Sequence, residues 1–161
     1  MEPNVILLQK SSLPSVSFYQ NLERCQAIRK IVFVEGQNVP PDIDIDGRDP
    51  NCSHLLLLIG KKPAGTLRMR KTSEGTKLER VSILKEFRGC NYGKLLIQCA
   101  LALSDLPVYI HAQVQSEGFY KTLGFQETDP TIFYEANIPH KTMHWSGTSI
   151  GVLPCNITRL S

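Results

Sequence analysis

A glycine-bearing segment, residues 86–95, could bind a phosphate group. It lies between a predicted strand and a predicted helix, and backbone N–H groups at a helix start attract anions. Glycine there also lets a ligand approach the backbone closely. A nucleotide-triphosphate loop is excluded, because three residues rather than four separate Gly89 from Gly93 and Leu95 follows Lys94. The glycine spacing of a dinucleotide-binding fingerprint is also absent.

The cysteines and histidines do not show the spacing of a metal site. The five cysteines, at positions 25, 52, 90, 99 and 155, are odd in number and include no Cys-x-x-Cys pair. Zinc sites and secreted disulfide scaffolds usually have paired or even-numbered cysteines. We therefore expect no metal cofactor, reduced thiols and a cytoplasmic location. The first residues, Met1 to Asn4, also lack a signal-type basic and apolar pattern.

Composition narrows the class of protein further. The 161 residues are 42% hydrophobic and 20% charged, which is typical of a globular domain. The longest apolar run, Leu55 to Ile59, has the length of a strand, and we expect no membrane partner. The net charge of +3 permits an anionic small molecule but is too small to indicate a nucleic-acid partner.

Periodicity predicts a mixed α/β (α+β) fold in one domain, residues 1–146, followed by a tail or packed extension at 147–161. The order of strand, loop, helix and strand between 77 and 123 favours a parallel pair within a largely antiparallel sheet. The predicted strands are 4–9, 53–59, 64–71, 77–84, 108–112, 131–138 and 141–145, the last two separated by Pro139. The predicted helices are 17–35, 93–104 and 116–123, and an exposed acidic loop is predicted at 37–51.

The segment from Arg88 to Gly93 resembles the pyrophosphate loop of the GNAT superfamily, the acetyl-CoA-dependent N-acetyltransferases. Arg88 and Gly93 match the ends of the family pattern, and Asn91 replaces its middle glycine. Asn is the non-glycine residue that most readily accepts a left-handed backbone. Residues 118–125 resemble the Phe-Tyr-x-x-x-Gly-Phe signature that follows in this family. The chain is similar to a compact bacterial-type branch, which some parasite glucosamine-phosphate acetyltransferases also resemble.

The resemblance implies a sheet whose central parallel strands splay apart, with about four flanking helices. It also implies that acetyl-CoA is the cosubstrate and that the backbone of the 81–83 strand pairs with its pantetheine arm. A backbone amide near Val81 or Ser82 would then polarise the acetyl oxygen. The expected cofactor-binding residues are Val81, Ser82, Ile83, Arg88, Gly89, Cys90, Asn91, Tyr92, Gly93, Lys94, Ser116 and Tyr120.

Three residues are candidates for proton transfer. Tyr120 occupies the family position of the thiolate's proton donor, and a phenol stays protonated at neutral pH. Glu79 lies two residues before Val81, which predicts a shared strand face and makes it the first candidate for the base. The alternative is that Glu79 is a surface residue paired with Arg80 or Lys77. His111 is the second candidate base, followed by the other histidines, His140 and His144.

The resemblance implies direct attack by a primary amine in a ternary complex, with no protein nucleophile. Glucosamine 6-phosphate is the most specific acceptor that we predict, with Arg29, Arg68, Glu79 and Gln113 as acceptor-binding residues. Two alternatives remain open: acetylation of a protein lysine or N-terminus, which predicts an open groove, and a non-catalytic acyl-CoA sensor. A homodimer is also possible.

Overall fold

Nine strands and four α-helices lie in the part of the chain that the structure, a computed structural model, describes: residues 2–148 and 153–161. Part of the predicted extension at 147–161 therefore lies outside the described residues. The strands are Pro3–Leu8 (β1), Ser53–Ile59 (β2), Lys62–Thr72 (β3), Gly75–Ile83 (β4), Val108–Gln113 (β5), Phe125–Glu127 (β6), Phe133–Glu135 (β7), Ile138–Trp145 (β8) and Ile157–Leu160 (β9). The α-helices are Val16–Arg29 (α1), Pro41–Asp44 (α2), Tyr92–Leu103 (α3) and Glu117–Thr122 (α4). None of the helices in these residues is long and apolar enough to cross a membrane.

All the strands belong to one mixed sheet in the order β6-β8-β5-β4-β3-β2-β1-β9, with β7 also paired to β8. Strands β2, β3 and β4 form the predicted antiparallel meander. The predicted parallel pair is β4 with β5, and β1 with β9 is a second parallel pair. The fold class predicted from the sequence is therefore confirmed.

The pairing between β4 and β5 covers only three residues near the start of each strand. Thr76, Lys77 and Leu78 pair with Val108, Tyr109 and Ile110, and no pairing follows among the described residues. From Glu79 onward the strands separate. The edge of β4 that faces β5 is therefore open to a ligand, as the resemblance implies.

Two apolar cores lie on opposite faces of the sheet because strand side chains alternate between faces. On one face, Phe18, Leu22 and Ile28 of α1 pack against Ile6 and Leu8 of β1. On the other face, α3 packs against the alternate residues of the same strands. The apolar residues whose spacing of three and four positions predicted α1 therefore lie on its buried side. The helix continues as a π-helix over Lys30–Glu35. Val32 and Phe33 of this segment line a cleft between β4 and β5.

The predicted break between the closing strands is in the wrong place. Pro139 does not separate them but lies inside β8. The break is a two-residue hairpin turn at Ala136 and Asn137, which both have positive φ, as a tight turn between twisted strands requires. The strands β6 and β9 were not predicted, since each has at most four residues and too short a pattern to recognise.

The acidic loop is not wholly exposed, because two of its carboxylates form a buried ion network. Asp44 and Asp49 are each 2% exposed, and Arg29 and Arg68 are each 1% exposed. Arg29 donates to Asp49 at 2.8 Å and to Asp44 at 3.1 Å, and Arg68 donates to Asp49 at 2.9 Å and to Glu79 at 2.8 Å. The predicted role of Arg29 and Arg68 in acceptor binding is therefore wrong, because both guanidinium groups are committed to buried carboxylates.

The network should dominate the stability of the loop. Asp49→Asn leaves two buried guanidinium groups under-compensated, and we expect the free energy of unfolding in urea to fall by about 3–5 kcal/mol. The matched control is Asp105→Asn, which removes an exposed ion pair with Lys71 and should change stability by less than about 1 kcal/mol. Equal losses in the two variants would contradict a structural role for the network.

The same network predicts acid sensitivity. Burial alone would raise the pKa of Asp49, but hydrogen bonds from Arg29 and Gln26 and the charge of Arg29 outweigh burial and lower the pKa from 3.8 to about 2. A depressed pKa stabilises the fold above the unfolded value, and this contribution is lost as pH falls from about 4 to about 2. Stability should therefore fall less steeply with acid in Asp49→Asn.

Candidate active site

The separation of β4 and β5 opens a cleft of about 490 Å³. Its walls include both strands, the π-helical turn and the β7–β8 hairpin. The predicted site residues that line it are Glu79, Val81, Ser82, Ile83, Arg88, Gly93, His111, Gln113, Ser116 and Tyr120. The predicted residues that do not line it are Arg29, Arg68, Gly89, Cys90, Asn91, Tyr92 and Lys94. The last five of these belong to the loop before α3 and to the first turn of that helix.

The loop before α3 presents a run of unpaired backbone donors. Within residues 2–148 and 153–161, no N–H group from Gly89 to Lys94 donates to a protein atom. Gly89 and Asn91 have φ of 81° and 63°, so Asn91 does adopt the left-handed backbone predicted for it. A Cβ added at Gly93 would lie 3.5 Å from Phe119 and 3.9 Å from Ile83, so this glycine keeps the cleft wall open. These features fit a pyrophosphate group.

Tyr120 lies in the wall of the cleft opposite β4. Its ring packs edge-on against Phe119 and Phe125, which fix its position. Burial raises the pKa of the phenol to about 12, so the hydroxyl keeps its proton at neutral pH. Among the described residues the hydroxyl has no recorded hydrogen-bond partner. It is therefore available to donate a proton to a ligand in the cleft.

A β-bulge interrupts β4 in the middle of the cleft wall. Thr66 pairs with Ser82 and Arg68 pairs with Glu79, so the intervening Leu67 faces two residues, Arg80 and Val81. Arg80 is the extra residue, with φ of 58°. The prediction that Glu79 and Val81 share a strand face is wrong, because the extra residue reverses the alternation.

The carboxylate of Glu79 is paired with three cations, which makes it a poor proton acceptor. It accepts from Arg68 at 2.8 Å and Arg70 at 2.7 Å, and Lys77 lies 3.2 Å away. Burial alone would raise its pKa, but the hydrogen bond from Arg70 and the charges of Arg68 and Lys77 lower the pKa to about 2. A carboxylate with so low a pKa is a weak base at neutral pH. This argues against Glu79 as the general base.

His111 forms a pair with a carboxylate that the sequence analysis did not select. Its Nδ1 lies 2.9 Å from an oxygen of Glu135, which follows 24 residues later on β7. The hydrogen bond from His111 lowers the pKa of Glu135, so this carboxylate stays ionised. With Nδ1 bonded to Glu135, the other nitrogen, Nε2, is left to face a ligand. His140 also lines the cleft, whereas His144 does not.

Comparison with known proteins identifies the family. A profile described as "Acetyltransferase (GNAT) domain" matches residues 44–146. The chain belongs to the GNAT acetyltransferase family. The Bacillus subtilis protein named "Uncharacterized N-acetyltransferase YjcF" is 34% identical over 72% of this chain and 86% of its own length. The crystal structure of Escherichia coli ElaA, 29% identical, superimposes with a TM-score of 0.71 over 91% of this chain and 100% of that one.

Membership in the GNAT family shows that the chain is an acetyl-transfer enzyme acting on an amine. A crystal structure from Lactobacillus plantarum, described as a "putative N-acetyltransferase" and 25% identical, has a TM-score of 0.76 over 89% of this chain and 97% of that one. Enzymes of this family use acetyl-CoA. The loop with free N–H groups and the open edge of β4 are the features of this GNAT chain that suit that cosubstrate.

The structure of this GNAT enzyme separates the two candidate roles of Glu79. Glu79→Gln should lower the free energy of unfolding by about 3 kcal/mol or more, because three cations lose their shared carboxylate. Any remaining acetyltransferase activity should keep the wild-type pH dependence. The exposed Glu74→Gln is the control for stability. A defect in Glu79→Gln that disappears as pH rises would instead identify Glu79 as the base.

Proposed function

We propose that this enzyme transfers an acetyl group from acetyl-CoA to a small-molecule primary amine, by direct attack in a ternary complex within the β4–β5 cleft. The observation that carries the proposal is that one cleft is lined by the bulged strand, by Tyr120 and by the His111–Glu135 pair. Cys90 does not line the cleft, which favours direct attack over an acetyl-cysteine carrier.

The cosubstrate has binding groups along the whole length of the cleft. Pyrophosphate oxygens would accept from the N–H groups of 89–94, with charge support from Arg88 and Lys94. The open edge of β4 would pair with the pantetheine amides. A backbone N–H at Val81 or Ser82 would stabilise the negative charge that develops on the acetyl oxygen. Ser116, at the start of α4, would contact the same arm.

Proton transfer is assigned to two different groups. We assign removal of the proton from the attacking amine to His111, with Glu135 orienting its ring. We assign protonation of the departing thiolate to Tyr120, whose raised pKa keeps its proton available. The two groups belong to different walls of the cleft, His111 to β5 and Tyr120 to α4, so each can serve one end of the reaction.

Among acceptors, an amino sugar is the first to assay, with glucosamine 6-phosphate compared directly with glucosamine. Arg29 and Arg68 are committed to buried carboxylates. Lys77 and Arg80 line the cleft, but Lys77 is paired with Glu79, and Arg80 is paired with Asp44 and Asp46. A protein lysine or N-terminus is the second candidate. Gln37 and Gln113 hydrogen-bond each other across the cleft, which leaves less room for a peptide. The protonated Tyr120 favours catalysis over a non-catalytic sensor.

A cytoplasmic location and a homodimer complete the proposal. The five cysteines carry no disulfide in the structure, which suits a reducing compartment. The strands β6 and β9 lie at the two ends of the sheet order, where a second copy could pair.

The direct test of the function is thiol release from acetyl-CoA with a panel of amines, comparing wild type with Tyr120→Phe. This change removes one hydroxyl and keeps the packed ring. We expect kcat to fall by about 10²–10⁴-fold with little change in acetyl-CoA affinity. The control is Tyr19→Phe on α1. A near-normal kcat for Tyr120→Phe, with chemistry limiting the rate, would exclude it as the proton donor.

The pyrophosphate site is tested by filling the space beside Gly93. Gly93→Leu should raise the KM for acetyl-CoA by about tenfold or more, or about 1.4 kcal/mol of lost binding. Gly93→Ala should have a much smaller effect, because its Cβ would make only ordinary contacts. Thermal unfolding checks that both variants fold. Equal affinity in wild type and Gly93→Leu would contradict the assignment.

The base is tested by His111→Gln in a pH–rate profile. We expect a loss of about 10²–10⁴-fold near neutral pH. The loss should shrink as pH rises, because more acceptor amine is already neutral. His144→Gln is the matched control, since His144 bonds Thr128 and does not line the cleft. A loss that does not vary with pH would assign His111 a positioning role instead.

A further inference from the structure

A second cavity of about 280 Å³ adjoins the cleft. Its lining consists of Gln37, Gln113, Gln115, Ile138 and Pro139, and the first four of these also line the cleft. The two spaces therefore meet at the same side chains. Within the described residues, no charged side chain lines the second cavity.

Two of the glutamines form a reciprocal amide pair at this boundary. The Nε2 of Gln113 donates to Oε1 of Gln37 at 3.0 Å, and the Nε2 of Gln37 donates to Oε1 of Gln113 at 3.4 Å. Gln115 donates to the same Oε1 of Gln113 at 2.8 Å. The pair joins the segment after the π-helix to the end of β5. A ligand that passes this boundary must replace these hydrogen bonds with its own.

The boundary lies close to the proposed base. Gln113 is two residues beyond His111 on β5, whose pairing with β8 is regular, so both side chains are on the same face of the strand. An amine beside His111 would therefore direct the rest of its molecule toward the glutamines. The apolar walls, Ile138 and Pro139, leave the carboxamides as the polar groups that can orient it.

We propose that the glutamine-lined cavity binds the non-reacting part of the acceptor, and that this part is an uncharged hydrogen-bonding group such as hydroxyls or a carboxamide. The inference rests on the proposed function and specifies its substrate class. A carboxamide both donates and accepts, so it satisfies hydroxyls and amides equally. A phosphate or carboxylate would lose its hydration without meeting a cation, which is costly. The glutamines thus favour unphosphorylated acceptors.

The test compares kcat/KM for two matched acceptor pairs: glucosamine with glucosamine 6-phosphate, and glycinamide with glycine. The two pairs distinguish hydroxyl recognition from carboxamide recognition. Wild type should prefer the uncharged member of at least one pair by about tenfold or more. Gln37→Leu should reduce kcat/KM for that preferred acceptor about 3- to 10-fold, with the KM for acetyl-CoA unchanged.

A charge-introducing variant makes the test specific to this cavity. Gln37→Lys should shift the preference toward the anionic member of the pair, whereas Gln20→Lys on the exposed face of α1 should not. A wild-type preference for the anionic acceptors, or a ratio that Gln37→Lys leaves unchanged, would overturn the inference while leaving acetyl transfer established. Failure to acetylate any amine would overturn the proposed function, and this inference with it.

Discussion

The early end of pairing between two parallel strands is the constraint on which the site depends. After Leu78 and Ile110, the backbones of β4 and β5 no longer bond each other. Buried backbone groups need partners, and an extended ligand with amides of its own can supply them. The loop before α3 follows β4, and α4 follows β5. The separation of the two strands therefore also sets the distance between that loop and α4. In the proposed binding mode, the separation of the strands therefore creates the site for acetyl-CoA.

Ion pairs with the acidic loop stabilise the bulged conformation of β4. Arg80, the extra residue of the bulge, has a left-handed backbone that is unusual for a large side chain. Its guanidinium lies 3.3 Å from Asp44 and 3.4 Å from Asp46, in the loop that also carries Asp49. The buried ion network therefore connects the acidic loop to the bulge. Its charges fix the backbone beside the proposed acetyl site and are not free to bind an anionic acceptor.

Local patterns in the sequence were enough to predict most of the main elements, and the resemblance to the GNAT family supplied the splayed pair and the left-handed Asn91. Long-range partners were not predictable in the same way. Arg68 looks like any basic residue until its carboxylate neighbours are known, and Glu135 lies 24 residues from His111. The bulge at Arg80 is a single inserted residue that no periodicity reveals, and it changes which side chains face the cleft. The fold was therefore more predictable than the site chemistry.

The central claim is that the gap between β4 and β5 holds the acetyl donor. A crystal structure of the enzyme with CoA tests it most directly. The account predicts pyrophosphate oxygens within hydrogen-bond distance of N–H groups from Gly89 to Lys94, and the pantetheine arm paired with the β4 edge from Glu79 to Ile83. CoA bound elsewhere, or an arm lying outside a gap that stays empty, would contradict it.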